Sequence, residues 1–128
     1  MFTDVNDLTK IIIGAAIEVH RALGPGLLES AYHRCLAREL EIHEIPFKFK
    51  WRFPLEYKGL RLPKGYEIDL VVANAVIVEV KSVILLAPIH EAQLLTYMRL
   101  QRIRVGLLFN FNEVVLKNGI RRKIMDFE

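Results

Sequence analysis

Three charged residues interrupt two apolar runs in which a charge is costly. Asp69 stands in Glu67-Ile68-Asp69-Leu70-Val71-Val72, and Glu79 and Lys81 stand in Val76-Ile77-Val78-Glu79-Val80-Lys81. Short runs rich in valine and isoleucine read as strands, where an unpaired buried charge is expensive. Glu79 and Lys81 are two residues apart, so they point to one side of their strand. A tight turn centred on Asn74 would set Asp69 directly opposite Glu79, on one face, with Lys81 beside them. Two carboxylates so placed repel unless something positive joins them. A hard divalent cation does so, taking oxygen ligands and keeping several waters. Such an ion acidifies a bound water and stabilises charge on a phosphoryl oxygen, and an adjacent lysine can orient that water or stabilise the charge that develops. The alternative is a cross-strand ion pair in which Lys81 neutralises Glu79 or Asp69.

Two further groups bear on that choice. In Gly26-Leu27-Leu28-Glu29-Ser30-Ala31-Tyr32, Glu29 and Tyr32 are helical neighbours at the border of an apolar face. An acid favoured by a helix N-terminus is the plainer account of Glu29. In Gln93-Leu94-Leu95-Thr96-Tyr97, Gln93 and Tyr97 stack at i and i+4. A buried tyrosine beside an incidental glutamine is the alternative there.

The elements that must carry these residues follow from periodicity. Val5, Leu8, Ile11, Ile12, Ala15, Ala16 and Val19 form one apolar stripe, which predicts a helix over 4–23. Thr3 or Asp4 would cap it, and Gly24-Pro25-Gly26 would break it. A second helix should bury Leu28, Ala31, Tyr32, Cys35, Leu36 and Leu40. After Pro46, apolar residues at 47, 49, 51, 53 and 55 alternate with Lys48, Lys50, Arg52 and Pro54. That pattern predicts an amphipathic strand with a basic outer face suited to a polyanion, and Pro54 places it at an edge or at its end. Lys58-Gly59 and Pro63-Lys64-Gly65 read as turns. Strands over 66–72 and 76–81, a helix from 88 to 100 or 101, and a buried strand over 105–109 should follow. Asn118-Gly119 predicts a C-terminal β-hairpin between 114–117 and 120–124. The expected fold class is α/β (α+β), with a mixed central sheet flanked by helices.

Bulk properties narrow the setting. The 128 residues suit one domain spanning 1–128, with 52% hydrophobic residues available for a core. No apolar run reaches the ~20 residues of a membrane span, and the first residues lack the layout of a secretory signal. Cys35 is the lone cysteine and suits a reducing compartment, so a cytoplasmic location is expected. The net charge of +3 is compatible with nucleic acid without requiring it.

Gly26-x-x-Glu29-x-x-Tyr32 resembles the signature of the GxxExxY family of small bacterial and archaeal proteins, placed in the PD-(D/E)XK nuclease superfamily. The resemblance extends from the first helix to Asn110-Phe111 and the basic tail, with Asp69 and Glu79-Val80-Lys81 matching the core motif. Ile68 stands where the motif usually has proline. Gln93 and Tyr97 match the glutamine-x-x-x-tyrosine motif of the superfamily's helicase-linked exonuclease branch. The resemblance implies a restriction-endonuclease-like core and hydrolysis of phosphodiester bonds in nucleic acid, DNA above RNA. It implies Mg²⁺, or Mn²⁺, held by Asp69, Glu79, the Val80 carbonyl and Glu29, with Asp69, Glu79 and Lys81 as the catalytic set. Gln93 and Tyr97 would contact a phosphate or orient Lys81, and Lys48, Lys50 and Arg52 would bind the nucleic-acid backbone. Self-association stays open, and a nuclease fold kept only for binding nucleic acid or protein is the rival reading.

Overall fold

A computed structural model describes residues 4–127 of the chain. The amphipathic stripe forms α1 (Val5–Leu23), which buries Leu8, Ile12, Ala15, Ala16 and Val19. Asp4 caps it by accepting the Asn6 amide at 2.8 Å, while Thr3 lies outside the described residues. Gly24 ends the helix at φ 72° and Gly26 follows at φ 97°, a left-handed backbone that suits glycine. The chain then turns into α2 (Glu29–Ile42), whose inner side carries Tyr32, His33, Leu36 and Leu40.

Five strands form one sheet in sequence order: β1 (Phe47–Tyr57), β2 (Leu60–Val72), β3 (Val76–Lys81), β4 (Val105–Asn110) and β5 (Ile120–Ile124). Neighbours are antiparallel except β3 and β4, which are parallel and joined by the crossover helix α3 (Pro88–Gln101). The sheet is mixed and helices lie on both faces, as expected. On one face α1 and α2 pack Ile12, Leu36 and Leu40 against Leu70, Val78, Val80 and Phe109. On the other face Leu94 and Met98 of α3 cover Ile68, Val71, Ile77 and Leu108. β3 and β4 are therefore buried on both faces, which explains their near-continuous apolar sequence.

Three local expectations are corrected. Lys58-Gly59 is the β1–β2 turn, with both residues at positive φ, but Pro63-Lys64-Gly65 is not a turn. β2 runs through it, and the pairing slips between Phe53–Tyr66 and Leu55–Leu62, so those residues form a bulge in the ribbon. The Asn118-Gly119 hairpin does not form either. Leu116–Gly119 is a 3₁₀ turn, and β5 pairs back on β4, giving a C-terminal antiparallel pair with a longer connection. Burial of Leu116 and Gly119, with the Asn110 carbonyl only 2.6 Å from where a Cβ at 119 would lie, pulls this segment onto the core. Finally, the apolar alternation of β1 does not face one core. Phe47 and Phe49 pack on the α1–α2 side, whereas Phe53 packs on the α3 side.

Candidate metal centre

The change of face in β1 has a partner in β2, and the site lies at that crossing. Leu70 and Val72 point to the α1–α2 side, but Ile68 points to the α3 side. Phe49 pairs with Leu70 and Trp51 with Ile68, which leaves Lys50 and Asp69 as the irregular rung between them. Lys50 adopts φ 47° there. The turn expected around Asn74 is present, with Ala73 and Asn74 left-handed and Leu70, Val71 and Val72 paired with Val78, Ile77 and Val76. The next rung, 69 with 79, is closed by side chains. Asp69 Oδ2 accepts the Val80 amide at 2.8 Å, and Glu79 Oε2 accepts the Asp69 amide at 2.9 Å. Each carboxylate takes the place of a ladder bond, so the strands splay around two buried acids.

The site therefore straddles the sheet, where the sequence had suggested one face. On the α2 side, His33 Nε2 lies 3.3 Å from Asp69 Oδ2, 3.5 Å from Glu29 Oε1 and 3.2 Å from the Val80 carbonyl oxygen. Glu29, His33 and Asp69 can each offer one donor atom within 4.8 Å of the others. Glu79 is outside that cluster, because its Oε2 turns onto the Asp69 amide and its strand alternation follows Ile77 to the α3 side. Lys81 lies on that side too, donating to Gln93 Oε1 at 3.0 Å. Tyr97 bonds the same Gln93 side chain. Glu29, Asp69, Glu79, Val80, Lys81, Gln93 and Tyr97 thus meet at one end of the sheet.

The Gly-Glu-Tyr spacing has a local physical reason. The Tyr32 hydroxyl donates to the Gly24 carbonyl at 2.6 Å and accepts the Leu27 amide at 3.1 Å, while its ring stacks on Phe111 at 4.6 Å. Tyr32 thereby fixes the glycine loop that delivers Glu29 in the first turn of α2. The far side of the site is pinned by buried Asn110, whose amide donates to the Val83 carbonyl and accepts the Val83 amide. Ser82 Oγ donates to the Leu27 carbonyl at 2.8 Å, tying this exit segment to the glycine loop.

The electrostatics favour added positive charge. Burial first, and then the charge of Asp69, push the Glu79 carboxyl up to about 8, against the opposing pull of the Asp69 amide and Lys81. For His33, burial lowers the imidazole, but the hydrogen bond and charge of Asp69, with the Val80 carbonyl, outweigh burial and the repulsion of Lys50. Its pKa is raised. Nε2 faces the acceptors of Asp69, Glu29 and Val80, so it carries a hydrogen, while Nδ1 has no partner among the described residues. An imidazolium there supplies the charge that a cation would bring. Burial and the charge of Glu79 raise the Tyr97 phenol, against the opposing pull of the Gln93 side-chain amide that donates to its oxygen.

His33 and Asn110 were not anticipated. His33 lies four residues after Glu29, so helical spacing on a polar-acidic face was the available signal. The shared basic face expected along β1 does not form. Lys48 lies over the Trp51 and Phe53 rings on the α3 side, Lys50 is turned by its left-handed backbone, and Arg52 pairs with Glu67. The three cations do not share a face. No described helix is long and apolar enough to cross a membrane. Among known proteins, the sequence model described as the PD-(D/E)XK nuclease superfamily matches residues 6–123. No curated protein and no solved structure matches the chain.

Proposed function

The chain belongs to the PD-(D/E)XK nuclease superfamily, and we propose that within it the protein is a divalent-metal-dependent phosphodiesterase acting on nucleic acid, with DNA as the favoured substrate. The observation that carries this reading is the meeting of Glu29, His33 and Asp69 around one point beside the Val80 carbonyl. The finer kinship, to the GxxExxY family, is supported by the way Tyr32 and the glycine loop hold Glu29 over that point.

The residues fit a cation on their own chemistry. Two carboxylates, a carbonyl oxygen and an imidazole nitrogen form a donor set of mixed hardness, and the buried acids have too little positive charge around them. Oxygen donors alone would suit Mg²⁺, while the imidazole extends the set toward Mn²⁺. Glu29, His33, Asp69 and the Val80 carbonyl would hold the ion, with Glu79 beside them on the Asp69 amide. When bound, the ion supplies an acidified water and charge stabilisation at a phosphoryl oxygen. The protein's own parts do the rest. Lys81, held by Gln93, directs an ammonium proton toward the attacking water or the phosphate oxygen on which charge accumulates. Tyr97 fixes Gln93. Asn110 and Ser82 hold the segment after Lys81 so that its ammonium keeps one position. Solution in the cytoplasm suits a chain whose described helices include no membrane span.

The test is a cleavage panel of single-stranded, duplex, flapped and RNA substrates in Mn²⁺ and Mg²⁺, beside calorimetric metal titration. The reading expects one metal site that is lost in Asp69→Asn, and cleavage that vanishes with it. Metal binding without cleavage of any substrate would leave a binding module on a nuclease fold. Loss of neither function in Asp69→Asn would overturn the assignment.

A further inference from the structure

The α3-side surface of β1 and the outer half of β2 is built differently from the rest of the sheet. β2 pairs with β3 only through Leu70, Val71 and Val72, so its earlier residues pair with β1 alone. α3 packs on β3 and β4. A two-stranded ribbon therefore leaves the body of the protein with one face beside α3 and open. On that face Trp51 pairs with Ile68 and Phe53 with Tyr66, so all four point the same way. The Phe53 and Tyr66 rings stack at 5.5 Å, and Tyr66 and Tyr97 stack at 5.5 Å. Tyr97 then joins Gln93 and Lys81. An aromatic row runs from the sheet edge into the candidate site.

The outer end of the row is half exposed. Trp51 is 51% exposed beside rings that are partly covered. The Lys48 ammonium sits 5.7 Å from the Trp51 ring centroid and 5.8 Å from that of Phe53. A half-exposed ring beside a lysine matches a nucleobase with its phosphate, since base stacking supplies affinity and the cation tracks the backbone. Bases inside a duplex have no free face to offer.

We propose that this face is a stacking shelf for unpaired nucleotides, with Trp51 as its platform and Lys48 as its phosphate contact, so that the substrate strand enters the site single-stranded. The inference rests on the nuclease reading and gives that site its substrate class. Pairing of edge strand β1 with a second copy is the rival use of the same surface. Pro54, the bulge opposite it and the cations on β1 all oppose edge-to-edge pairing.

Trp51 is the sole tryptophan of the chain, so its emission reports this face alone. Three probes are titrated onto the whole protein in chelator, which prevents cleavage: a short oligothymidylate, an abasic oligonucleotide of equal length, and a blunt duplex. Binding is followed by the anisotropy of a label on each probe. The expected result is saturable quenching by oligothymidylate alone, with salt-dependent but unquenched binding of the abasic strand. Trp51→Leu should weaken oligothymidylate by about tenfold or more, leave abasic binding and Tm unchanged, and be largely rescued by Trp51→Phe. Equal quenching by the abasic strand, or equal oligothymidylate affinity in Trp51→Leu, overturns the shelf. A dimer that dissociates in Trp51→Leu, without quenching by any probe, overturns it in favour of self-association. Cleavage in Mn²⁺ separates the two levels. Wild-type cleavage without quenching removes the shelf and spares the nuclease reading, whereas absence of both binding and cleavage removes both.

Discussion

The two sides of the splayed β2–β3 end are unlike. On the α2 side, Glu29, Asp69 and the Val80 carbonyl crowd round a single ring nitrogen, so acceptors outnumber donors. On the α3 side, Lys81, Gln93 and Tyr97 form a closed chain in which each group already has its partner. The first side is deficient in positive charge and is suited to receive an ion. The second is self-satisfied and suited to hold one ammonium still. One rung of the sheet thus separates the part that binds from the part that positions, and variants on each side should fail in different ways.

Beyond the loss of the metal site itself, Lys81→Met should show the largest effect. It keeps most of the stem volume and removes the charge. Cleavage under metal saturation should fall by roughly a hundredfold or more, the scale of losing an electrostatic stabiliser of the transition state. Metal affinity should hold or rise, because a competing cation has gone. Equal rates in the variant and wild type would break the division of labour between the two sides.

Glu79, between the sides, sets the next effect. Its folded pKa of about 8 lies above the usual carboxyl value near 4.5, so the metal-free native state holds a proton that the unfolded chain has released. Stability is then fully present below about pH 4.5 and declines as pH rises through about 8. The loss should be on the order of a few kcal/mol, read from urea midpoints at successive pH values. Glu79→Gln should flatten the profile. Metal affinity should move the opposite way, rising with pH as the carboxyl gives up its proton. A flat wild-type profile would show that Glu79 is ionised without help.

Most of this architecture was legible in the sequence because period and composition report burial directly. β3 and β4 read as buried strands from their valine and leucine runs, and α1 from its stripe. The register through Asn74 was legible as well, since a tight turn fixes pairing. What escaped notice depends on departures from period. The left-handed backbone at Lys50 and the splay at Asp69 reverse which residues share a face. Alternation therefore groups Lys48, Lys50 and Arg52 on one strand face, and opposed pairing groups Asp69 with Glu79 on one face, and the structure separates both groups. Asn118-Gly119 carried a strong local hairpin signal, but burial of Leu116 and pairing of β5 with β4 overrode it. His33 was hidden by its neighbours, since a histidine among helix-core residues looks like packing until Asp69 arrives from another strand.

On the α2 side, His33→Ala should act on binding before chemistry. Metal affinity should fall on the order of tenfold, the lower end of the cost of losing a metal-supporting group. The raised pKa of His33 means that protons compete with the ion, so wild-type affinity should weaken as pH falls through the imidazole range. His33→Ala should make that part of the pH dependence shallower. An unchanged titration curve would remove His33 from the ligand set.

The smallest effect should come from Tyr97→Phe, and it is the sharpest test of the positioning side. The ring that stacks on Tyr66 remains, while the hydroxyl bonded to Gln93 is lost. A single hydrogen bond of this kind is worth about 0.5–1.5 kcal/mol, so cleavage should slow by only a few-fold, with metal affinity unchanged. A small loss of that size could also come from slight repacking, which is why a second variant is needed. If Tyr97 acts by fixing Gln93 and through it Lys81, its effect should disappear once the ammonium is gone. Tyr97→Phe added to Lys81→Met should then cost nothing further in rate, giving a coupling energy equal to the whole single-variant effect. If the two losses instead add, the hydroxyl contributes independently of Lys81, and the closed chain on the α3 side is structural and not part of the reaction.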